Sequence, residues 1–352
     1  MARIAVIPGD GIGVEVMAEA VRVLRRTREL AGLDLELRTW DLGAERTLRE
    51  GVTITEAEFE TLEGDYEAIL LGALGDPRIA DDRHARDILL GLRFRLDLFV
   101  NFRPCRLLDP SLSPLRNPDR WSGGMEIFRE NTEGIYVNLG GRFKAGTRDE
   151  VAIHEDLSTW KGVERIVRAA FSHARDRRRP RVTLVDKANA MPASGALWRR
   201  VFQEVGADFP EVEREAVFVD AMAMDLVRRP QRYGVLVTSN LFGDILSDLA
   251  AVLTGGIGLA PSANLHPGRH ALFEPVHGSA PDIAGSGTAN PMAAILCVGL
   301  LLDHLGHVRE ARRVEEAVSL AIAEGVTTPD LEGTSSTEEV GGWIADHLAN
   351  VA

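Results

Sequence analysis

The sequence predicts an α/β protein, and three observations carry the prediction. Short apolar runs alternate with amphipathic helical stretches along the chain. None of those runs reaches the length of about 18 residues that a membrane span needs. With 352 residues and 45% hydrophobic content, the chain can bury a sizeable core, in one large domain or two ordinary ones.

The elements follow in order. ARIAVIP (2–8) reads as a buried strand, and Val14, Met17, Val21 and Leu24 then recur at helical spacing. Between them stands GDGIG (9–13). A dinucleotide fingerprint of the form G-x-G-x-x-G would need glycine at position 14, which is Val14, so the segment reads as a tight strand-to-helix turn. AILLGAL (68–74) is another buried strand. Residues 136–156, with glycines between β-type runs, read as an extended hairpin or arm. Val163, Ile166, Val167, Ala170, Phe171 and Ala174 line one helix face behind a Ser158 or Thr159 cap. The basic run 175–181 is a solvated helix end and loop. RVTLVDKAN (181–189) and YGVLVTSNLFGD (233–244) each pass from a β-branched strand into polar residues.

Composition excludes several classes. The formal net charge of −13 argues against binding nucleic acid or an anionic membrane surface. Two cysteines, Cys105 and Cys297, rule out a disulfide framework and favour a reducing compartment. The first residues lack the basic-then-apolar build of a signal peptide, so a cytoplasmic location is expected. Only three of the 40 basic residues are lysines. In such a chain a lysine within a motif suggests a proton that can be lost, because arginine keeps its own.

Four groups of residues suggest chemistry. Asp244 and Asp248, in NLFGDILSDLA, would lie a turn apart on one helix face, with no nearby cation on that face in the sequence. A divalent ion would resolve their repulsion, and all-oxygen ligands favour Mg2+ or Mn2+. A solvated acidic face is the alternative. Asp220, after an apolar run, is either a third ligand or a helix cap. Arg93, Arg103 and Arg129 have the forked geometry that grips carboxylates, although any single arginine is more often a surface residue. Lys187, at the end of a buried strand, suits a general base if desolvation lowers its pKa. Tyr136 is either a general acid or a core tyrosine.

Taken together, the segments resemble the β-decarboxylating dehydrogenases, which act on isopropylmalate, isocitrate, homoisocitrate and tartrate or malate. The resemblance rests on IPGDGIGVEV (7–16), LRFRLDLFVNFRP (92–104), RENTEGIYV (129–137), DKANAM (186–191), VDAMAM (219–224), NLFGDILSDLA (240–250), GLAPSANL (258–265) and FEPVHGSAPDIAGSGTANP (273–291), in that order along the chain. It implies a two-domain α/β fold with a large mixed sheet that is not a Rossmann domain. Residues 1–98 plus 255–352 would form a cofactor domain. Residues 99–254 would form a substrate, metal and dimerisation domain with an arm near 136–156. The active site would lie in the cleft between them, completed by a second subunit.

The resemblance also implies roles. Asp220, Asp244 and Asp248 are the expected metal ligands, with Asp220 supplied across a homodimer. Arg93, Arg103 and Arg129 would clamp the malate-type carboxylates, and Asn189 would lie beside substrate or nicotinamide. Lys187 would take the C2 hydroxyl proton and Tyr136 would protonate the enol after CO2 leaves. Glu274, His277, Gly278, Ser279, Ala280, Asp282, Ile283 and Asn290 would hold the cofactor. Asp282 would favour NAD, because a carboxylate accepts from ribose hydroxyls and repels a 2′-phosphate. K+ is a further expected ion.

The substrate is read from residues before Arg93. Leu89 and Leu90 match an apolar pair that contacts an isopropyl group, which makes 3-isopropylmalate, and hence leucine biosynthesis, the leading expectation. Arg86 departs from that pattern, where a glutamate is usual, and could greet an extra carboxylate. Tartrate or D-malate, and isocitrate or homoisocitrate, are the alternatives. A ligand-binding regulatory subunit would have lost a metal or base residue, and this chain keeps them all.

Overall fold

The structure, a computed structural model, describes residues 1–121 and 124–351. The chain divides into two compact units. One comprises Met1–Leu98, Leu107–Asp119 and Ala251–Ala352, and the other Phe99–Arg106 and Arg120–Ala250. The segment 107–119, expected with the middle of the chain, falls in the first unit.

The first unit holds β1 (Ala2–Gly9), β2 (Leu35–Thr39), β3 (Ala68–Ala73), β11 (Pro261–His266) and β12 (His270–Pro275), in the order β2-β1-β3-β12-β11. All neighbours run parallel except β11 and β12. Every residue of β3 is buried, as expected of a parallel strand covered on both faces. The Ile12–Ala31 helix buries Val16, Met17, Ala20, Val23 and Leu24, whereas Val14 is 56% exposed. The expected stripe holds at Met17 and Leu24, which are buried, is half-buried at Val21, and fails at Val14, which faces solvent.

Asp10, in the turn after β1, is buried and satisfied by three separate segments. It accepts from the backbone N–H of Ala44 (2.6 Å), from that of Gly75 (2.9 Å), and lies 2.8 Å from His84 Nε2. The GDGIG turn is thus a structural junction. Gly11 has φ +54°, and a Cβ there would meet the Ser279 carbonyl oxygen at 2.1 Å. The Ile12 N–H donates to that same oxygen at 2.8 Å. A protein carbonyl, not a phosphate, caps this helix N-terminus.

The second unit holds β4 (Val100–Cys105), β5 (Met125–Glu130), β8 (Arg181–Asp186), β9 (Glu213–Phe218) and β10 (Val235–Thr238), in the order β4-β5-β10-β8-β9. Only β4 and β5 are antiparallel. The Trp160–Asp176 helix buries the six residues expected of it, and Thr159 Oγ1 caps it by accepting from Gly162 N–H at 3.0 Å. The short pair β6 (Gly140–Phe143) and β7 (Val151–His154) forms the expected hairpin, exposed along its whole length.

Strand β5 is entirely buried yet carries three charges. Side-chain alternation sends Glu126, Phe128 and Glu130 to one face and Ile127 and Arg129 to the other. On the first face, Arg179 grips Glu126 with two hydrogen bonds of 3.0 Å, and His173 Nε2 lies 3.4 Å away. Burial alone would raise the Glu126 carboxyl pKa, but His173 and Arg179 outweigh it and hold it at about 2. A carboxyl depressed in the folded state contributes stability above its ordinary pKa of about 4.5, which is lost as pH falls towards 2. The full contribution is on the order of 3 kcal/mol. Glu126→Gln should therefore lower the urea unfolding free energy at pH 7, and its deficit relative to wild type should narrow steadily below pH 4.5. A deficit independent of pH would contradict this account.

Candidate active site

The antiparallel register places Asn101 opposite Arg129, so Asn101, Arg103 and Arg129 share one face of β4 and β5. Both guanidinium groups are buried, and a buried charge must be paired. Their partners come from the Asn240–Leu253 helix, where Asn240, Asp244 and Asp248 recur every fourth residue on one stripe. Arg129 Nε donates to Asn240 Oδ1 at 2.9 Å, and Arg129 also bonds Asp244 Oδ1. Arg103 donates to Asn101 Oδ1 (2.8 Å), Ser247 Oγ (2.6 Å) and Asp248 Oδ1 (3.3 Å), and approaches Asp244 Oδ1 at 3.5 Å. The close approach needs a glycine: a Cβ at Gly243 would lie 2.6 Å from Arg129 Cβ.

This corrects one sequence inference. Asp244 and Asp248 have no cation on their own helix, but two arginines from neighbouring strands reach them. Even so, burial raises the Asp248 carboxyl pKa, Arg103 offsets only part of that, and Asp244 adds to it.

Tyr136 belongs to the same group. It lies in a single helical turn, Ile135–Val137, and its hydroxyl donates to Asp244 Oδ2 at 2.7 Å. Burial first, and then the Asp244 carboxylate that accepts from it, push the phenol pKa up. Asn240 ties this turn to Arg129, because its Nδ2 donates to the Glu133 carbonyl at 2.9 Å. The sequence reading missed Asn240, although its four-residue spacing from Asp244 was a signal. It also missed Asn101 and Ser247, whose part depends on contacts across strands.

Lys187 leaves the end of β8 in a turn pinned by Asp186, which Arg199 holds at 2.7 and 3.1 Å. Lys187 Nζ is not buried alone, as the strand-end position suggested. It lies partly exposed, 2.6 Å from Asp220 Oδ1. The lysine lowers the pKa of the largely exposed Asp220 carboxyl. Asp220 is in the first turn of the Val219–Arg228 helix without capping it, and Asn189 is exposed. Among the described residues, no three acidic, histidine or cysteine side chains of one chain converge as a metal centre.

In the first unit, Arg93 and Glu274 form a buried ion pair at 2.7 Å, and Asn264 Nδ2 donates to the same Glu274 oxygen at 2.8 Å. Glu274, expected against the cofactor, is thus also the partner of a substrate candidate. Leu89 packs against the core formed by residues such as Ile88, Leu92 and Leu272, while Leu90 is half-buried. Arg86 is exposed and donates to the Asp81 carbonyl at 2.8 Å.

The segment after β12 combines buried and exposed groups. His277 is buried, its Nδ1 lies 3.1 Å from the Gly278 carbonyl, and its Nε2 has no partner among the described residues. A carbonyl can only accept, so Nδ1 carries the proton and Nε2 presents a lone pair. Burial pushes the imidazole pKa down. Gly278, Asp282 and Ile283 are exposed, and Ser279 and Ala280 are half-buried. Asn290 is buried, donating to Asp330 at 3.0 Å and accepting from Met292 N–H at 2.9 Å.

Donor chemistry decides which groups would fit. Asp244 and Asp248 offer only carboxylate oxygens, partly exposed and on one stripe, which suits a hard divalent cation. The unpartnered His277 Nε2 beside an exposed loop suits a ligand rich in hydrogen-bonding groups.

Comparison with known proteins identifies the family. Residues 3–344 match the family described as isocitrate/isopropylmalate dehydrogenase. The chain is 49% identical over 321 residues to a 3-isopropylmalate dehydrogenase of Corynebacterium urealyticum, covering 90% of this chain and 92% of that one. It is 46% identical over 350 residues to one of Streptomyces griseus, covering 99% and 98%. Among solved structures, an isocitrate dehydrogenase from Methylococcus capsulatus superposes with TM-score 0.89 at 37% identity, covering 99% of each chain. A β-decarboxylating dehydrogenase from Thermococcus kodakarensis gives 0.82 at 38%, covering 99% and 97%. A match over nearly the whole chain, with every motif in sequence order, makes this protein a member of the isocitrate/isopropylmalate dehydrogenase family.

Proposed function

We propose that the protein oxidises 3-isopropylmalate at C2 with NAD and a divalent cation, Mg2+ or Mn2+, and removes the β-carboxylate as CO2. The observation that carries this reading is the convergence of Arg103, Arg129 and the Tyr136 hydroxyl on the Asp244–Asp248 stripe. Such a set can hold carboxylates, a cation and a movable proton together. The names of the Corynebacterium and Streptomyces relatives support the substrate.

In this reading Arg93, Arg103 and Arg129 hold the two carboxylates by bidentate bonds. Leu90 meets the alkyl group, with Leu89 behind it in the core. Lys187 takes the C2 hydroxyl proton on Nζ, and Asn189 flanks it. A cation held by Asp220, Asp244 and Asp248 would supply Lewis acidity at that hydroxyl, and NAD would supply the hydride acceptor. Tyr136 then delivers its hydroxyl proton to carbon. Glu274, His277, Gly278, Ser279, Ala280, Ile283 and Asn290 line the cofactor segment, and Asp282 accepts from the ribose hydroxyls. The first unit would thus serve the cofactor and supply Arg93, Leu89 and Leu90, and the second would supply the remaining substrate groups and the metal ligands.

A homodimer completes the reading. Asp220 shares its helix face with Met224 and Val227, and Asp248 lies one turn beyond Ile245. All three apolar side chains are more than half exposed, as are Phe143 and Ile153 of the arm. Association through these faces would bury them and bring one subunit's Asp220 and Lys187 to its partner's Asp244 and Asp248. No described helix is long and apolar enough to cross a membrane, and a cytoplasmic location is part of the proposal.

NADH formation with Mn2+ should be fastest, by kcat/KM, on 3-isopropylmalate in a panel with D-malate, tartrate, isocitrate and homoisocitrate. A preferred tricarboxylate would replace the substrate, and no turnover at all would remove the enzymatic reading. Lys187→Ala should lower kcat by at least about 100-fold, and retention of more than a few per cent would remove it as the base. Gly243→Ala should raise KM for the hydroxy acid at least about tenfold, because the added methyl displaces Arg129. An unchanged KM would separate Arg129 from substrate binding.

A further inference from the structure

We infer that Glu15 is a positioning residue for nicotinamide-cofactor selection, acting on Asp282 through the backbone of its loop. The inference rests on the reading of Asp282 as the ribose partner. Glu15 lies in the first turn of the Ile12–Ala31 helix. Its two carboxylate oxygens accept from the Gly285 N–H at 3.3 Å and the Gly287 N–H at 3.1 Å. Both glycines have positive φ, +74° and +69°, a conformation that other residues adopt only with strain. The loop thus turns two amides towards one carboxylate, and a carboxylate in a first helical turn is itself favoured by the helix dipole.

The other end of the loop is fixed to the same helix. The Ser279 carbonyl accepts from Ile12 N–H at 2.8 Å. Residues 280–284, which include Asp282 and Ile283, therefore span two anchors that sit three residues apart on one helical turn. Within the span, Ile283 N–H donates to the Ala280 carbonyl at 3.1 Å, and Ser286 Oγ donates to the Ile283 carbonyl at 2.6 Å. Asp282 is exposed, so packing does not fix its place. The anchors do, and Glu15 is the one made by a side chain. Beyond it, Thr337 N–H donates to the Gly287 carbonyl at 2.8 Å, so losing Glu15 would loosen the Asp282 span without releasing the whole segment.

The test compares wild type, Glu15→Ala and Glu15→Gln by NADH and NADPH fluorescence titration, steady-state kinetics and thermal unfolding. Glu15→Ala should weaken NADH binding about tenfold and reduce the NADH-over-NADPH preference by a similar factor. Glu15→Gln, which keeps one acceptor oxygen, should fall between. KM for the hydroxy acid should stay within about twofold and the melting temperature within about 3 °C. Unchanged dinucleotide affinity and preference would overturn the inference, and so would equal losses in hydroxy-acid KM and cofactor affinity. Asp282→Lys serves as the separate check. If it leaves the preference of the wild type intact, the role of Asp282 fails. A weakened NADH affinity in Glu15→Ala would then still establish the loop tether.

Discussion

A guanidinium taken out of water must be paired, and Arg129 is 2% exposed. That requirement organises the second unit. It calls for an acceptor at Nε, which Asn240 supplies, and for a carboxylate at the end of the fork, which Asp244 supplies. It requires glycine at 243 so that the helix can come close. It also draws in Tyr136, whose hydroxyl meets the second oxygen of the same carboxylate. Arg103, bound to Ser247 and Asp248 a turn later, repeats the pattern.

The result is a set of charges that satisfy one another. Two arginines oppose two aspartates, and Lys187 opposes Asp220. In the proposed reaction substrate carboxylates would take the arginines, and the aspartates would hold a divalent cation. Pairing of this kind keeps a carboxylate beside each buried guanidinium, which is the condition under which buried ion pairs are tolerable. It also explains why the Asn240 side chain, neutral and bonded at both ends, suits the position between Arg129 and the Tyr136 turn.

The first unit solves a different problem, that of holding an exposed loop still. The helix N-terminus after β1 is filled by the Ser279 carbonyl, and the Glu15 carboxylate one turn on takes the Gly285 and Gly287 amides. The glycines of GDGIG serve this junction, with Asp10 joining three separate segments beneath it. That is the physical reason why the dinucleotide fingerprint fails by one residue. Gly11 meets the Ser279 carbonyl, and Gly9 and Gly13 sit against Ala73 of β3, so the backbone is shaped to meet other segments of the same protein.

Much of this was legible in the sequence. The strands at 2–9, 68–73, 181–186 and 235–238 follow from short apolar or β-branched runs, and the Trp160–Asp176 helix from its 3.6-residue stripe and threonine cap. Asp244 and Asp248 announce themselves by spacing, and the ordered motifs identify the family. These features are local, set by neighbours within a turn or a pleat. On the Ile12–Ala31 helix, Met17 and Leu24 are buried as their spacing indicates, but Val14 is apolar yet exposed. What neutralises the aspartates could not be read at all: Arg103 lies 145 residues from Asp248, and Arg93 lies 181 residues from Glu274. Sequence sets which groups are charged and which face they occupy. Only the pairing of strands and the seating of helices on them decides which charges meet, because a buried ion is stabilised by whatever the fold brings within about 3 Å of it, at any distance along the chain.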